Sequence, residues 1–426
     1  MESERELEAC FDRLWPLLRS ITGAGVRATL DVLGEVVAGL QQIEVPSGTP
    51  VHDWVVPPEW VVREAYVVAP DGRRILDVAQ HTLHLVSYSV PFRGTLARAQ
   101  LDEHLHSLPE QPEAIPYVTS YYEPRWGFCL ADAQRRALPD GDYEVVVDTE
   151  LVDGSLTIGE ALLPGESERE VLISTYVCHP SMANNELSGP LVAAFLHRRL
   201  AALERRRLTY RFVFCPETIG AIAYLAREGE RLRERVVAGY QVTCCGDDAP
   251  FTLKRSRRGD SLADRVALRA LAGIGVAPRV VDFFPGGSDE RQWCSPGYDL
   301  PVASLMRSMY GTYPEYHTSL DDKSFVSFAA LRETIDAYHA IALALEHDVT
   351  YRSLVPYGEP QLGRRGLYAT LGARHAGGAA SALRWVLNLA DGEHSAQDVA
   401  ERSGHALADV EEAIGVALQA ELIEPA

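Results

Sequence analysis

An apolar, β-branched run at 171–177 stops just short of His179. The chain then turns through Pro180-Ser-Met-Ala-Asn-Asn185-Glu-Leu-Ser-Gly189 before a second apolar run begins at Leu191. The first run has the length and composition of a buried strand, and the second reads as a helix. The same alternation recurs, with strands at 145–147, 210–214 and 236–245 and helices at 191–200, 221–228 and 261–271, closed by a helix at 327–346. Strands alternating with helices imply an α/β fold: a mostly parallel sheet flanked by helices. Such sheets bind ligands outside the carboxyl ends of their strands, where His179 falls. A strand-end histidine packed in a loop, with the asparagines as turn formers, accounts for this one segment equally well.

The flanking segments have other textures. Residues 5–45 read as helices, because Leu7, Phe11, Leu14, Leu17 and Leu18 recur at helical spacing and a second run covers 26–40. Short β-rich pieces separated by Asp-Gly and Pro turns fill 51–138, which predicts a small β subdomain, inserted into the larger one. Three short helices with a Gly-containing turn predict a winged helix over 355–426, with Ser395 as an N-cap. The domain expectation is therefore N-terminal helices at 1–50 belonging to the α/β unit, the β subdomain at 51–138, the α/β domain at 139–350 and the winged helix at 355–426.

Charge narrows the partners. With 40 basic against 60 acidic residues the formal net charge is -20, which opposes a phosphate-backbone partner. The third helix of the winged segment carries Asp409, Glu411, Glu412 and Glu421 and no lysine or arginine, so it is unsuited to a major groove. The basic strip at 254–258 reads as a solvated loop. Seven scattered cysteines, with a vicinal Cys244–Cys245 pair, predict buried thiols in a reducing compartment. The acidic N-terminus shows no signal peptide and no run reaches the length of a membrane span. The expectation is a soluble cytoplasmic protein, with a homo-oligomer left open.

Four further segments end near strands as His179 does: Pro216-Glu217-Thr218-Ile-Gly220, Gly246-Asp247-Asp248, Gly287-Ser-Asp289-Glu-Arg291 and Tyr316-His317-Thr-Ser-Leu-Asp321. Two imidazoles and several carboxylates on one rim suit zinc, with a carboxylate left over as base. Each piece alone is commonplace as a turn or as packing; their order within one α/β unit carries the signal. In the β subdomain, Tyr121, Tyr122, Arg125 and Trp126 form an aromatic and cationic cluster. Arg125 could clamp a substrate carboxylate, or the cluster could be an aromatic core knot.

On these motifs, together with Pro46-Ser-Gly-Thr-Pro-Val-His-Asp53-Trp54 and Pro116-Tyr-Val-Thr-Ser-Tyr121-Tyr122, the chain resembles an aminopeptidase-like domain family with a C-terminal winged helix. That family lies within the zinc-dependent exopeptidase superfamily, which includes co-catalytic aminopeptidases and glutaminyl cyclases. The resemblance covers nearly the whole chain. It implies metal ligation by His179, Asp247 (or neighbouring Asp248) and His317, Glu217 as general base, and Asp289 supporting the site from behind. It also implies a substrate wall in which Arg125, Tyr121 and Tyr316 take part. Two positions depart from the superfamily pattern. Asn185 stands where a metal-bridging aspartate is expected, and Thr218 stands where the second glutamate of a pair is expected. Each exchanges an anionic oxygen for a neutral one, and two divalent ions about 3.5 Å apart need an anionic bridge. The expectation is one zinc ion rather than two, with the Asn185 amide oxygen or Glu186 compensating. The function that follows is a metal-dependent amide hydrolase acting on a peptide or aminoacyl small molecule. A catalytically inactive binding scaffold and a mono-zinc acyl transferase or cyclase are the alternatives, and a DNA-binding regulator is disfavoured.

Overall fold

The computed structural model describes residues 2–367 and 378–426. Residues 368–377, within the expected winged-helix segment, lie outside the described residues. The chain divides into a unit of residues Met1–Ile341 and a unit of residues Ala342–Ala426.

The first unit is organised by a sheet whose strands, in chain order, are β1 Gln41–Pro46, β2 Ser155–Leu163, β3 Glu170–Tyr176, β4 Thr209–Cys215, β5 Val236–Gln241, β6 Thr252–Lys254, β7 Arg279–Val281 and β8 Val302–Met306. Their spatial order is β1-β2-β4-β3-β5-β8-β6-β7. The centre, β4-β3-β5-β8, is parallel, while β1/β2, β2/β4 and β6/β8 pair antiparallel. β6/β7 is again parallel, so the sheet is mixed, and the expectation of a mostly parallel one holds for its middle and for that edge pair. Every residue of β3 is buried, as a strand covered by helices on both faces requires, which explains its unbroken apolar run. Residues 41–46, expected to continue the N-terminal helices, form the edge strand β1 instead. Helix propensity over 26–40 is real but ends at Gly34, and Gln41–Pro46 finds its hydrogen bonds on β2.

Between β1 and β2 the chain leaves the sheet and builds a second, four-stranded one from Arg74–Ile75, Glu59–Val68, Asp142–Val152 and Phe92–Ala97, in that order. Residues 145–147, read as the first strand of the α/β alternation, lie in this smaller sheet, paired with Glu59–Val68 and Phe92–Ala97. A short apolar run cannot announce which sheet it joins. The insertion is tied back to the site: Pro116 bridges Thr318, the Tyr117 N–H donates to the His317 carbonyl at 2.9 Å, and Ile115 and Ser319 exchange two hydrogen bonds.

The second unit contains helices Gly378–Asn388, Ala396–Ser403 and Leu407–Gln419 and a three-stranded sheet of Asp391–Ser395, Thr350–Ser353 and Ile423–Pro425. Ser395 caps its helix by accepting from the Asp398 N–H, and Asp398 reciprocates. No described helix is long and apolar enough to cross a membrane.

The helix Ser188–Ala201 lies so close to the sheet that a Cβ on Gly189 would stand 2.4 Å from the Val242 carbonyl oxygen and 2.5 Å from Thr175 Oγ1. Gly189→Ala is therefore expected to destabilise the fold by ~1–3 kcal/mol, read as a lower urea midpoint with an unchanged m-value. An unchanged midpoint would mean that the helix shifts freely, contrary to this packing.

Candidate metal centre

Beyond β3 the backbone passes Val177 and Cys178 and delivers His179 into the interior, 3% exposed. Its Nδ1 lies 2.9 Å from Glu186 Oε2, on a single turn of π-helix, Ala183–Leu187. Arg19, fully buried, donates from Nε to the His179 carbonyl at 2.9 Å and stands 3.6 Å from Glu186 Oε1. With Nδ1 engaged, the free nitrogen of His179 is Nε2, which lies 3.6 Å from Glu217 Oε2. The His317 ring sits 5.3 Å from that of His179, stacks on Tyr316 at 3.9 Å and meets the Tyr117 ring edge-on at 5.3 Å.

Glu217 is presented by strain. Thr218 has φ +63 and ψ -77, and the Ile219 N–H closes onto the Glu217 carbonyl at 2.8 Å. This is a γ-turn centred on a β-branched residue, an arrangement that costs on the order of 1–3 kcal/mol and must be held by its surroundings. Three bonds hold it. The Thr218 N–H donates to Asp289 Oδ1 at 2.7 Å, Arg291 Nη2 donates to Thr218 Oγ1 at 2.9 Å, and the Glu217 N–H donates to Cys178 Sγ at 3.2 Å. The 287–291 loop is itself anchored from below. Gly287 (φ +93) has no room for a side chain against Tyr310, and Glu290 accepts from Lys254 Nζ and the Tyr310 hydroxyl at 2.6 Å each.

Burial dominates the electrostatics. It pushes Glu217 well above the ordinary carboxylate range, with the Asp289 charge adding to it. Asp289 is raised to about 7 and Glu186 to about 8 by burial, the latter opposed by the Arg19 guanidinium. His179 and His317 are lowered to about 3, His179 by burial and Arg19, His317 by burial and His179. Both imidazoles are thus neutral in the fold, the form that ligates a metal.

The expected ligands divide. His179 and His317 come together facing Glu217. Asp247 is spoken for: Oδ2 accepts from Asn184 Nδ2 at 2.7 Å and the Ser308 N–H at 3.1 Å, and Oδ1 accepts from the Ala249 N–H at 2.8 Å. Asn185 is also engaged. Its Oδ1 accepts from the Tyr176 hydroxyl at 3.1 Å, its Nδ2 reaches Met182 Sδ at 3.6 Å, and its N–H donates to Asp321. The Tyr176 hydroxyl also lies 2.5 Å from Thr243 Oγ1 and 2.8 Å from the Asn185 carbonyl. A phenol thus fills the space among these neutral oxygens. Among the described residues, the compact group of potential donors is Cys178, His179 and Glu186. All three converge on one histidine nitrogen beside Arg19, so this is a hydrogen-bonded cluster, not a cation nest. His179 Nε2 and the His317 ring are the imidazoles of this cleft, with Glu217 beside His179 Nε2.

Tyr121 reaches the site wall through the hydroxyl pair Tyr117–Tyr121 at 2.8 Å, and Tyr316 through its stack on His317. Arg125 does not join them. It is half exposed, donates to the Thr119 carbonyl at 2.7 Å and lies 4.0 Å from Glu123. Arg19, Tyr117, Tyr176 and Thr243 escaped the motif reading. Tyr117 lay within a quoted motif, whereas nothing in the sequence around Arg19 marks it.

This constellation lies beyond the carboxyl ends of β3 and β4. Residues 9–348 match the family described as a domain of unknown function, DUF4910, and residues 349–425 match a winged helix-turn-helix family. The chain is 41% identical, over 99% of its length and 97% of the relative's, to a Clostridium acetobutylicum protein described as a "Putative polysaccharide biosynthesis protein with aminopeptidase-like domain". A crystal structure of a "putative peptidase" from the same organism superposes with TM-score 0.84 at 40% identity, covering 99% of this chain and 96% of that one. A zinc aminopeptidase from Bacillus subtilis shares the fold alone, with TM-score 0.60 at 13% identity over 80% of this chain and 95% of that one. The chain belongs to the DUF4910 family, an aminopeptidase-like domain followed by a winged helix.

The histidine burial has a pH signature in metal-free protein. The unfolded chain protonates each histidine near pH ~6.5, whereas the fold keeps His317 neutral down to about 3. The unfolded state therefore binds more protons between these values. His317's contribution is complete above the unfolded pKa and is lost as pH falls toward 3. In urea titrations of chelator-treated protein, wild type should lose stability between pH 6.5 and 4 more steeply than His317→Gln. Parallel curves would show that His317 is not held neutral.

Proposed function

We propose that this protein is a hydrolase of amide bonds built on one divalent ion, zinc by the chemistry of its ligands, held by His179 and His317. The observation that carries the reading is the approach of Glu217 to the free nitrogen of His179, with Glu186 fixing the other. A carboxylate–histidine pair of this kind orients a metal ligand, and the neutral state of both rings suits it. When bound, such an ion lowers the pKa of water and polarises a carbonyl. Glu217 takes the proton of the attacking water and returns it to the leaving nitrogen; its raised pKa favours the return. Asp289 and the γ-turn hold Glu217 at that position, and Tyr117, Tyr121 and Tyr316 wall the substrate. Tyr176, Asn185 and Thr243 supply neutral oxygens where an anionic bridge would be needed, which supports a mononuclear site.

The same neutral oxygens motivate a second reading, a binding protein that has lost catalysis. For partners, we favour a peptide or aminoacyl small molecule over nucleic acid, since Leu407–Gln419 carries acids and no base. All seven cysteines are buried and unpaired, which supports a cytoplasmic setting.

Metal analysis of zinc-loaded full-length protein, with hydrolysis of a panel of aminoacyl and acyl anilides, tests the proposal. Wild type should hold about one zinc per chain, and His179→Ala or His317→Ala should lose it. Glu217→Gln should keep the metal while hydrolysis falls by roughly 10²–10⁴-fold. Absence of stoichiometric zinc, or unchanged hydrolysis by Glu217→Gln, sinks it; zinc-free, inactive wild type favours the binding protein.

A further inference from the structure

Arg291 is the cation of this site whose bonding is least complete. A guanidinium offers five N–H donors, and the hydrogen bond it makes among the described residues is the one to Thr218 Oγ1, at 2.9 Å. Its Nε is shielded from solvent and has no acceptor. No carboxylate of the described residues pairs with it within 4.0 Å, although its charge reaches Glu217, Asp289 and Tyr316. Arg211 is completed by Glu170 and Glu160 and Arg307 by Glu333 and the Ala249 and Ala330 carbonyls, whereas Arg19 shares with Arg291 one shielded nitrogen without a partner. An unmet donor at a shielded atom is costly unless a ligand meets it. Arg291 is itself only partly buried, so the ligand has access. Arg125, the arginine expected to clamp a substrate, is tied within its own loop.

We infer that Arg291 is the specificity residue of this site and receives an anionic group of the substrate, a carboxylate or a phosphate, on the donors that Thr218 leaves free. A planar fork suits such a group bidentately. The same charge repels a free α-ammonium, so the preferred substrate is an amide whose acyl part carries an anion near the scissile carbonyl, rather than a peptide with a free amino terminus. This rests on the amide-hydrolase reading for its chemistry but not for its binding test.

The test is calorimetric binding to chelator-treated full-length protein, in which no metal competes for the anion, at fixed ionic strength. The probes are succinate, inorganic phosphate, the neutral diamide succinamide, and butylamine. Wild type should bind succinate or phosphate, the tighter one identifying the group, and should bind neither succinamide nor butylamine measurably. Arg291→Met should weaken the anion by roughly 10- to 100-fold, the range of one charge-assisted pair, and Arg291→Lys should recover part of it. Thr218→Val, which removes the Arg291 bond but keeps the charge and shape, should retain binding within about 3-fold. Equal binding by Arg291→Met, a wild-type preference for succinamide or butylamine, or an equal loss in Thr218→Val would overturn the inference; the last would make Arg291 a clamp for the turn. Failure of hydrolysis with anion binding intact would remove only the catalytic reading.

Discussion

The site depends on one buried hydrogen bond, between His179 Nδ1 and Glu186. It is made in the interior, where a lone carboxylate is expensive to bury, and Arg19 offsets that cost by lying against both Glu186 and the His179 carbonyl. It ties the segment at Arg19, distant in the chain, to the end of β3 and the π-helical turn that follows it. Removal of any one member would leave an uncompensated polar group in the core. The arrangement also selects the nitrogen of His179 that faces the cleft, so a structural bond decides a chemical property.

A second constraint comes from the other side of the sheet centre. Thr218 is held where a β-branched residue resists going, and the strain is balanced by bonds from Asp289 and Arg291 on a loop that Lys254, Glu290 and Tyr310 secure from beneath. Glu217 is consequently aimed by packing rather than by its own rotamer freedom. The insertion between β1 and β2 adds the third wall, because its backbone is hydrogen-bonded to the His317 segment and carries Tyr117 onto both histidines.

The oxygens that reach His179 are the carboxylates of Glu186 and Glu217, whereas those around Tyr176 are neutral. Asn185, Thr218 and Thr243 contribute amide and hydroxyl groups, and the Tyr176 phenol occupies the space among them. Divalent charges in proximity repel strongly in a low-dielectric setting, and neutral dipoles do not screen them as a shared carboxylate does. A guanidinium, Arg291, stands on the hydroxyl of Thr218. The fold around it is that of an aminopeptidase-like domain.

Much of this was legible in the chain. The periodicity of 171–177 and 191–200 announced a buried strand feeding a helix, and local order placed His179 and Glu217 just past strand ends, because strand direction alone carries a residue to the rim, while His317 sits in the long turn beyond β8. Three matters were decided only in three dimensions. Residues 145–147 joined the smaller sheet, since β propensity does not name a partner. Asp247 and Asn185 are hydrogen-bonded to Asn184 and Tyr176, since the partners of a polar atom depend on which neighbour reaches it first. And Arg19, distant in sequence and unremarkable in pattern, became the counter-charge of the centre. Sequence determined which elements form and which side chains stand at their ends, through local propensity and periodicity. The tertiary structure alone decided which of those side chains remain free for chemistry, because long-range hydrogen bonds and burial allot the polar atoms.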